Sequence, residues 1–511
     1  MKSVTILGGG TAGWITALYV RRVFPDIPIT VIESSDIGIL GAGEGTTPEM
    51  VRFLDFIGIP VSEIVKNCKA TVKNSIKFTD WSYKGKHFYH TFDAYHPLNL
   101  GSIDNSSPLS AEQTHLSFIQ GFKYNNELKD FSLVSKLNEN LLTTFYKNQN
   151  TNELQNVIEQ FSSFGSFAIH FDARLFAQYL KATGLKRNIV VIDDIVEDVV
   201  FNSNGYVTEL KLKNQSIKSD FFFDCSGLKR FLISRFDSQW DSYKEYLPLD
   251  RALPFFIQHD NTNVPPFTES IAMDYGWMWK IPVENRFGCG YVFDSSFISE
   301  DEAKEEVENK LGFEVEVPKL FKFDAGFHRN VLNKNTLAIG LSAGFIEPLE
   351  ATNIELTILQ LEFFLTDKTF LMQPDSRIEK IYNSKFQRST AEILEFLALH
   401  YKTKRNDTEF WKDFEKNNLT PDSLKDKLDR WNVTMPVPSD FYGYELFSMG
   451  SYMAVLYGLD MHNKNVYKQH LELNDYPIEL DDAYKDYKIN QDLSLLMAIK
   501  HDEFLSILKA S

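Results

Sequence analysis

An apolar strand, Ser3 to Leu7, that runs straight into Gly8-Gly9-Gly10-Thr11-Ala12-Gly13 constrains this 511-residue chain more than any other feature. Gly8, Gly10 and Gly13 stand in G-x-G-x-x-G spacing. In that spacing the first glycine permits a tight turn, the second lets backbone approach a pyrophosphate, and the third packs a helix against the strand. TAGWITALYVRRVF offers the helix, Pro25 and Pro28 punctuate the chain, and ITVIE supplies a second strand. That strand ends on Glu33, twenty residues after Gly13, where an acid commonly binds the ribose hydroxyls of an adenosine. The competing explanation is a Gly-rich turn in an ordinary βαβ unit. The complete setting favours a dinucleotide cofactor on a Rossmann-type fold, held by Gly8, Gly10, Thr11, Ala12, Gly13 and Glu33.

The length exceeds the usual single-core limit, so two or more joined subdomains are expected. With 53 basic and 70 acidic side chains the formal charge is −17, which disfavours nonspecific binding to nucleic acid or an anionic membrane. Cys68, Cys225 and Cys289 are scattered and form no C-x-x-C pair, so neither a disulfide framework nor a zinc knuckle is indicated. The N-terminus enters a strand without a signal region, and no apolar run reaches transmembrane length. A soluble, unprocessed, cytoplasmic protein is expected.

The fingerprint needs a complete sheet, and NIVVIDDIVEDVV, YVTELKLKN and SDFFFDCSG read as further strands of that one sheet. Between them lie an aromatic stretch from Trp81 to Phe92, a polar segment at SIDNSSPLS and helical material to about Gln160, together resembling an insertion. From about residue 250, FFIQHD, GWMWKIP and RFGCGYVFD alternate as antiparallel strands that could floor a substrate cavity. After residue 353 the pattern turns helical, with Ile354, Ile358, Leu361 and Phe364 at 3-to-4 spacing. The expected architecture is α/β: an FAD-binding dinucleotide fold, flavin monooxygenase-like, with an antiparallel substrate sheet and a helical C-terminal cap. Residues 1–80 and 165–390 are expected to form the cofactor and catalytic core. Residues 81–164 and 391–511 are expected to form the substrate cap.

Two later turns repeat the small-residue theme. Asp224-Cys225-Ser226-Gly227 follows an FFF strand, and TLAIGLSAGFIEPLEATNIEL ends a strand near Gly340 and starts a helix near Thr352. A helix N-terminus presents unpaired N–H groups, suited to a flavin carbonyl, a phosphate or a halide. Three such turns in this order outline an FAD protein better than an NAD protein.

At this point the chain resembles the flavin-dependent halogenases of the tryptophan-halogenase type. The likeness is densest at GGGTAGW (Gly8 to Trp14), GEGTTP (Gly43 to Pro48), TVKNSIKFTDW (Thr71 to Trp81), GWMWKIP (Gly276 to Pro282) and FIEPLEATN (Phe345 to Asn353). The most specific motif, WxWxIP, is complete as Trp277, Trp279, Ile281 and Pro282. The resemblance implies that these indoles separate a flavin chamber from a substrate chamber, and it adds Gly45, Asp224, Gly227, Gly340 and Ile354 to the cofactor residues.

In TVKNSIKF, alternation along one strand predicts Lys73, Ser75 and Lys77 on one face and Val72, Ile76 and Phe78 on the other. Two lysines on one strand are usually a solvated edge. The resemblance aligns Lys73 with the family's essential lysine, with Val72 replacing an aromatic residue and Ser75 a glycine. Lys77 keeps the plainer reading. In FxxPxxSxG, Phe345 and Pro348 match, while Ala351 replaces serine and Asn353 replaces glycine. Glu350 falls on the family's catalytic glutamate, and Thr352 and Asn353 on residues whose backbone lines a halide site.

HFYHTF with His96 nearby has H-x-x-H spacing, but no carboxylate or cysteine cluster supports a metal. The resemblance makes His90 and Phe92 substrate contacts, with Thr91 replacing proline; a packed aromatic strand is an equal reading. Tyr452 stands where tryptophan is commoner in the family's aromatic wall.

The resemblance thus implies FADH2- and O2-dependent halogenation of an indole or phenol. A flavin hydroperoxide would oxidise chloride, bromide or iodide to hypohalous acid, relayed to Lys73, with Glu350 polarising the reagent or removing the ring proton. The implied partners are a separate NAD(P)H-dependent flavin reductase and a small aromatic substrate, and a homo-oligomer stays open. The rival readings are a flavin monooxygenase that hydroxylates an aromatic, separated by halide dependence, and a degenerate FAD-binding module.

Overall fold

The computed structural model describes residues 2–36, 43–92, 108–124, 126–147, 161–236, 238–366, 375–417, 419–441, 446–473 and 478–510. His96 and the SIDNSSP segment lie outside them. The chain divides into two compact units: residues 1–70, 171–244 and 323–391, and residues 71–170, 245–322 and 392–511.

The first unit is built on a six-stranded sheet. Its order is Val190–Asp193, Ile29–Glu33, Val4–Leu7, Phe221–Asp224, Thr336–Ala338 and Leu332–Asn333. All pairings are parallel except the last. Val4–Leu7 and Phe221–Asp224 are buried along their whole lengths, so neither alternates between a buried and an exposed side. The Thr11–Val23 helix packs against the Ala173–Lys186 helix, where Gly184 leaves room for the Trp14 ring: a Cβ there would lie 2.6 Å from it.

The NIVVIDDIVEDVV-to-SDFFFDCSG region is two sheets, not one. Val196–Phe201, Val207–Leu212 and Ser216–Ile217 form a separate antiparallel meander. Their charged, half-exposed positions and the Asn202–Gly205 turn, with Gly205 at φ +79°, suit a one-face-buried hairpin, whereas Val4–Leu7 and Phe221–Asp224 of the parallel sheet are buried at every position.

The second unit carries a seven-stranded sheet. In order it holds Phe321–Lys322, Arg251–Gln258, Arg286–Phe293, Gly276–Val283, Phe267–Ala272, Ser75–Thr79 and His87–Thr91. Only the Phe267–Ala272 and Ser75–Thr79 pair is parallel. One face buries Leu253, Phe255, Met278, Cys289, Tyr291 and Phe293 with Ala303 and Val307 of the Glu300–Leu311 helix. The opposite face carries Trp277 and Trp279. Gly290, directly across from Trp279, lets that indole lie flat on the sheet: a Cβ there would fall 2.1 Å from the ring.

Two expectations change here. The long antiparallel strands of residues 245–322 share a unit with 71–170 and 392–511, because Ser75–Thr79 and His87–Thr91 extend their sheet by backbone hydrogen bonds. The segment to Gln160 is helical only in part: Pro108–Lys123 and Leu133–Glu139 are helices, but the β-branched and aromatic LTTFYK run forms the Leu142–Lys147 strand. The helices expected after residue 353 are present as Thr352–Thr366, Ser376–His400 and Met449–Gly458. No helix among the described residues is long and apolar enough to cross a membrane.

Candidate active site

In the first unit, the ends of Val4–Leu7 and Phe221–Asp224 meet where the strand order turns outward in both directions, the usual place for a ligand in such sheets. The three fingerprint glycines differ in what surrounds them. At Gly8, φ +122°, a Cβ would lie 2.1 Å from the Cys225 carbonyl oxygen, and at Gly13 it would lie 1.9 Å from that of Gly8. At Gly10 nothing stands within 4 Å. Gly10 is also the helix N-cap and contributes no side-chain cap, so Thr11, Ala12 and Gly13 open the helix onto that space. A tight turn, a helix packed on a strand and an open backbone beside a helix N-terminus are the features a pyrophosphate needs. The residues present fit a bound FAD.

Glu33 ends its strand against this loop, since a Cβ on Gly9 would touch its carboxylate, and it is ion-paired with Lys181. Lys181 belongs to no sequence motif. Gly45 closes the Gly43–Gly45 strand. Beside it, burial and the Asp172 carboxylate push the Glu44 carboxyl up to about 7. A carboxyl raised from 4.5 in this way binds its proton more tightly when folded, so stability falls as pH rises from about 4.5 to about 7. Thermal denaturation of Glu44→Gln across that window should show a flatter slope than the parent.

Asp224 is fully buried, and its side chain turns inward. One oxygen accepts from the Ser226 N–H and hydroxyl and from the Ser342 hydroxyl; the other accepts from the Leu232 and Ile233 N–H groups. It anchors the loop that presents Gly227, at φ +66° with open space around it, and draws in the turn after Gly340, at φ +63°.

Pro348 and Glu350 lie in a turn that leads into the Thr352–Thr366 helix, which opens with Thr352, Asn353 and Ile354. Glu347, Glu350 and Ala351 adopt φ of +95°, +65° and +58°. Left-handed non-glycine residues cost about 1–3 kcal/mol each and gather at functional sites. Glu347, which no motif singles out, is fully buried, and Glu350 is buried beside it in the chain. The Ala351 N–H donates to the Pro348 carbonyl and the Thr357 hydroxyl to the Asn353 carbonyl, which fixes the turn from both ends.

Lys73 lies in the second unit and is 0% exposed. TVKNSIKF is two strands, Thr71–Lys73 and Ser75–Thr79, in different sheets. The chain breaks at Asn74, whose N–H donates to the Pro266 carbonyl and whose amide nitrogen donates to Asn138 and the Leu142 carbonyl. The shared face expected for Lys73, Ser75 and Lys77 is therefore lost. Lys77 is partly exposed and pairs with Glu269 at 3.8 Å, whereas the Lys73 ammonium sits 5.4 Å from the centre of the Phe92 ring.

His87 and His90, three apart on a strand, face opposite ways: His87 pairs with Glu139, and His90 packs 5.4 Å from the Phe396 ring. Phe396 stacks on Phe447 at 3.8 Å and meets Tyr452 at 4.9 Å. The Tyr452 hydroxyl donates to Glu395, which also accepts from the buried Lys427. Trp277 lies 6.2 Å from Trp279 and 6.5 Å from Trp81. Among the described residues no cluster of His, Cys, Asp or Glu has metal-binding geometry.

A parallel sheet with an FAD-type glycine cradle, joined in sequence to an antiparallel sheet with a paired-indole wall and a buried lysine, defines a flavin-dependent oxidoreductase class. The comparisons with known proteins sharpen that class. The profile of the tryptophan halogenase family matches residues 3–473. The tryptophan 6-halogenase SttH of Streptomyces toxytricini is 30% identical over 478 residues, covering 89% of this chain and 88% of its own. The tryptophan 7-halogenase RebH of Lentzea aerocolonigenes is 30% identical over 501 residues, covering 90% of each. The solved structure of BrvH, a flavin-dependent halogenase from Brevundimonas sp. BAL3, superposes with a TM-score of 0.84 at 28% identity over 99% of both chains. This chain belongs to the tryptophan halogenase family and is an enzyme of the flavin-dependent halogenase class.

Proposed function

We propose that the protein halogenates an electron-rich arene, an indole or a phenol, through an electrophilic halogen held at Lys73. The observation that carries this reading is the complete burial of Lys73 beneath the Phe92 ring. Burying an ammonium costs several kcal/mol, and a buried lysine in an aromatic setting is a functional-site signature. When bound, reduced FAD and O2 supply the oxidising power that turns halide into hypohalous acid.

The cofactor would lie on Gly8, Gly10, Thr11, Ala12 and Gly13, with Glu33 toward the ribose and Gly45, Gly227, Gly340 and Ile354 offering backbone. Halide would be drawn to the N–H groups of Thr352 and Asn353 at the positive end of their helix. Lys73 Nζ hydrogen-bonds the reagent or carries the halogen as a haloamine. Trp277 and Trp279 exclude water, which spares the oxidant from side reactions. His90, Phe92 and Tyr452 shape the arene pocket, Tyr452 from behind Phe396. Glu350 polarises the reagent or takes the ring proton. A separate NAD(P)H-dependent reductase would supply reduced flavin.

The deciding assay combines the protein with FAD, a flavin reductase, NADH and O2, offers chloride, bromide or iodide with a panel of indoles and phenols, and reads products by mass spectrometry. Halogenated product supports the reading; halide-independent hydroxylation, or flavin binding with no product, sinks it. Glu350→Gln should slow turnover about 10²- to 10⁴-fold, the worth of a positioned acid or base, with flavin affinity unchanged. Unaltered turnover would remove Glu350 from the mechanism.

A further inference from the structure

The Thr71–Lys73 strand lies at the edge of its sheet and is paired to Ala168–Asp172 in the register Thr71 to His170, Val72 to Ile169 and Lys73 to Ala168. An edge strand turns alternate N–H groups outward, and a buried one must find acceptors for them. The outward donor of Val72 finds an imidazole. Its N–H donates to His501 Nε2 at 3.0 Å, and His501 Nδ1 lies 2.9 Å from the Val264 carbonyl oxygen. Accepting at Nε2 leaves the proton on Nδ1, which donates to Val264. The ring is fully buried, and desolvation lowers it to about 4, so it stays neutral in this tautomer.

A second imidazole holds the face from which Lys73 projects. Thr71 and Lys73 point to the same side of their strand. The Thr71 hydroxyl donates to the carbonyl of Pro282, the last residue of WxWxIP, at 2.7 Å. Its oxygen therefore accepts from His170 Nδ1, 2.9 Å away, and His170 Nε2 accepts from the Thr268 hydroxyl at 2.9 Å. Burial, then the nearby Lys73 and His501, hold this ring well below its usual value.

We propose that His501 and His170 are positioning residues for Lys73: His501 clamps the outer edge of its strand, and His170 ties the strand's inner face, through the Thr71 hydroxyl that also holds the WxWxIP carbonyl, to Thr268. His501 belongs to the Ala498–Lys500 and His501–Ala510 segment, beyond the end of the family match at residue 473. The C-terminal segment thus completes the lysine's setting. This inference rests on Lys73 being the reactive lysine. Its geometric half stands independently of that, because backbone exchange reports the clamp whatever the enzyme turns over.

The test uses the full-length, FAD-loaded protein and three variants. His501→Leu removes the acceptor, His501→Gln keeps a carbonyl that can accept the Val72 N–H, and His170→Leu removes the second tie. Hydrogen–deuterium exchange at residues 71–74 should speed up in both leucine variants and return toward wild type in His501→Gln. With indole or phenol and bromide, kcat should fall on the order of 10²-fold in His501→Leu, the cost of a misplacement near 1 Å, while KM for the arene and FAD affinity hold. His501→Gln should recover most of that loss, which a merely structural role would not predict if both variants melt alike. Unchanged exchange at 71–74 in folded His501→Leu overturns the clamp. Faster exchange with kcat retained overturns the positioning role. Should the wild-type protein halogenate no probe, the proposed function fails, and exchange alone then decides the clamp.

Discussion

Lys73→Met yields folded, flavin-binding protein that makes no detectable halogenated product. Methionine nearly matches the buried volume and so leaves no large cavity. The melting temperature, read beside product formation, shows whether a site with 0% exposure keeps its fold when the cation is removed. Product formation should fall by about 10³-fold or more, in the range seen when a positioned acid, base or nucleophile is lost. Lys73→Arg separates two roles for the amine. A guanidinium still donates hydrogen bonds but stays protonated, so it can orient hypohalous acid without becoming a haloamine. Residual activity in arginine but not methionine would favour the hydrogen-bonding role. Mass spectrometry of product beside a fluorescence titration of FAD reads both quantities, and product surviving in Lys73→Met would sink the lysine assignment.

The second large effect divides the fingerprint glycines by position. Gly8→Ala forces a Cβ to 2.1 Å from the Cys225 carbonyl oxygen at φ +122°, and Gly13→Ala forces one to 1.9 Å from the Gly8 oxygen. Neither neighbour is a flexible side chain. Overpacking costs about 1–3 kcal/mol, and at Gly8 the positive φ adds about 1–3 kcal/mol more. Against a total stability of about 5–15 kcal/mol, these variants should melt several degrees or more below the parent and express poorly. Gly10→Ala adds its methyl to open space, so the apoprotein should keep its stability within about 0.5 kcal/mol. Its flavin affinity should nevertheless drop at least about tenfold, or about 1.4 kcal/mol, because the methyl occupies the path of the pyrophosphate. Calorimetry on apoprotein and titration with FAD separate the outcomes. Unchanged flavin affinity in Gly10→Ala would mean that Gly10 faces no ligand, and equal destabilisation at all three positions would mean that its methyl meets protein.

Legibility followed the range of the interactions. The G-x-G-x-x-G turn, its helix and the Glu33 strand were readable because each step is set by local backbone sterics and a burial pattern within a few residues. The alternation around Trp277 and Trp279 was readable for the same reason. The break at Asn74 was not, because its partners, Pro266, Asn138 and Leu142, are remote in sequence while the period-2 pattern runs on through it. Asp224 sits in a cofactor-like motif, yet only the folded loop shows its carboxylate taken up by Ser226, Leu232, Ile233 and Ser342. The family resemblance alone assigns Tyr452 to an aromatic wall, and its bond to Glu395 depends on helix packing that the sequence does not record.

By itself, the order of residues determined the dinucleotide cradle and the alternation of the paired-indole strand, since spacing and backbone sterics act along the chain, while only the family resemblance separated Lys73 from Lys77. Tertiary structure alone decided that Lys73 is sealed from water while Lys77 meets it, and that His170 and His501 close around the lysine's strand. Those outcomes depend on which distant groups satisfy a buried donor. His501 reaches Val72 across 429 residues, and no local pattern records that bond.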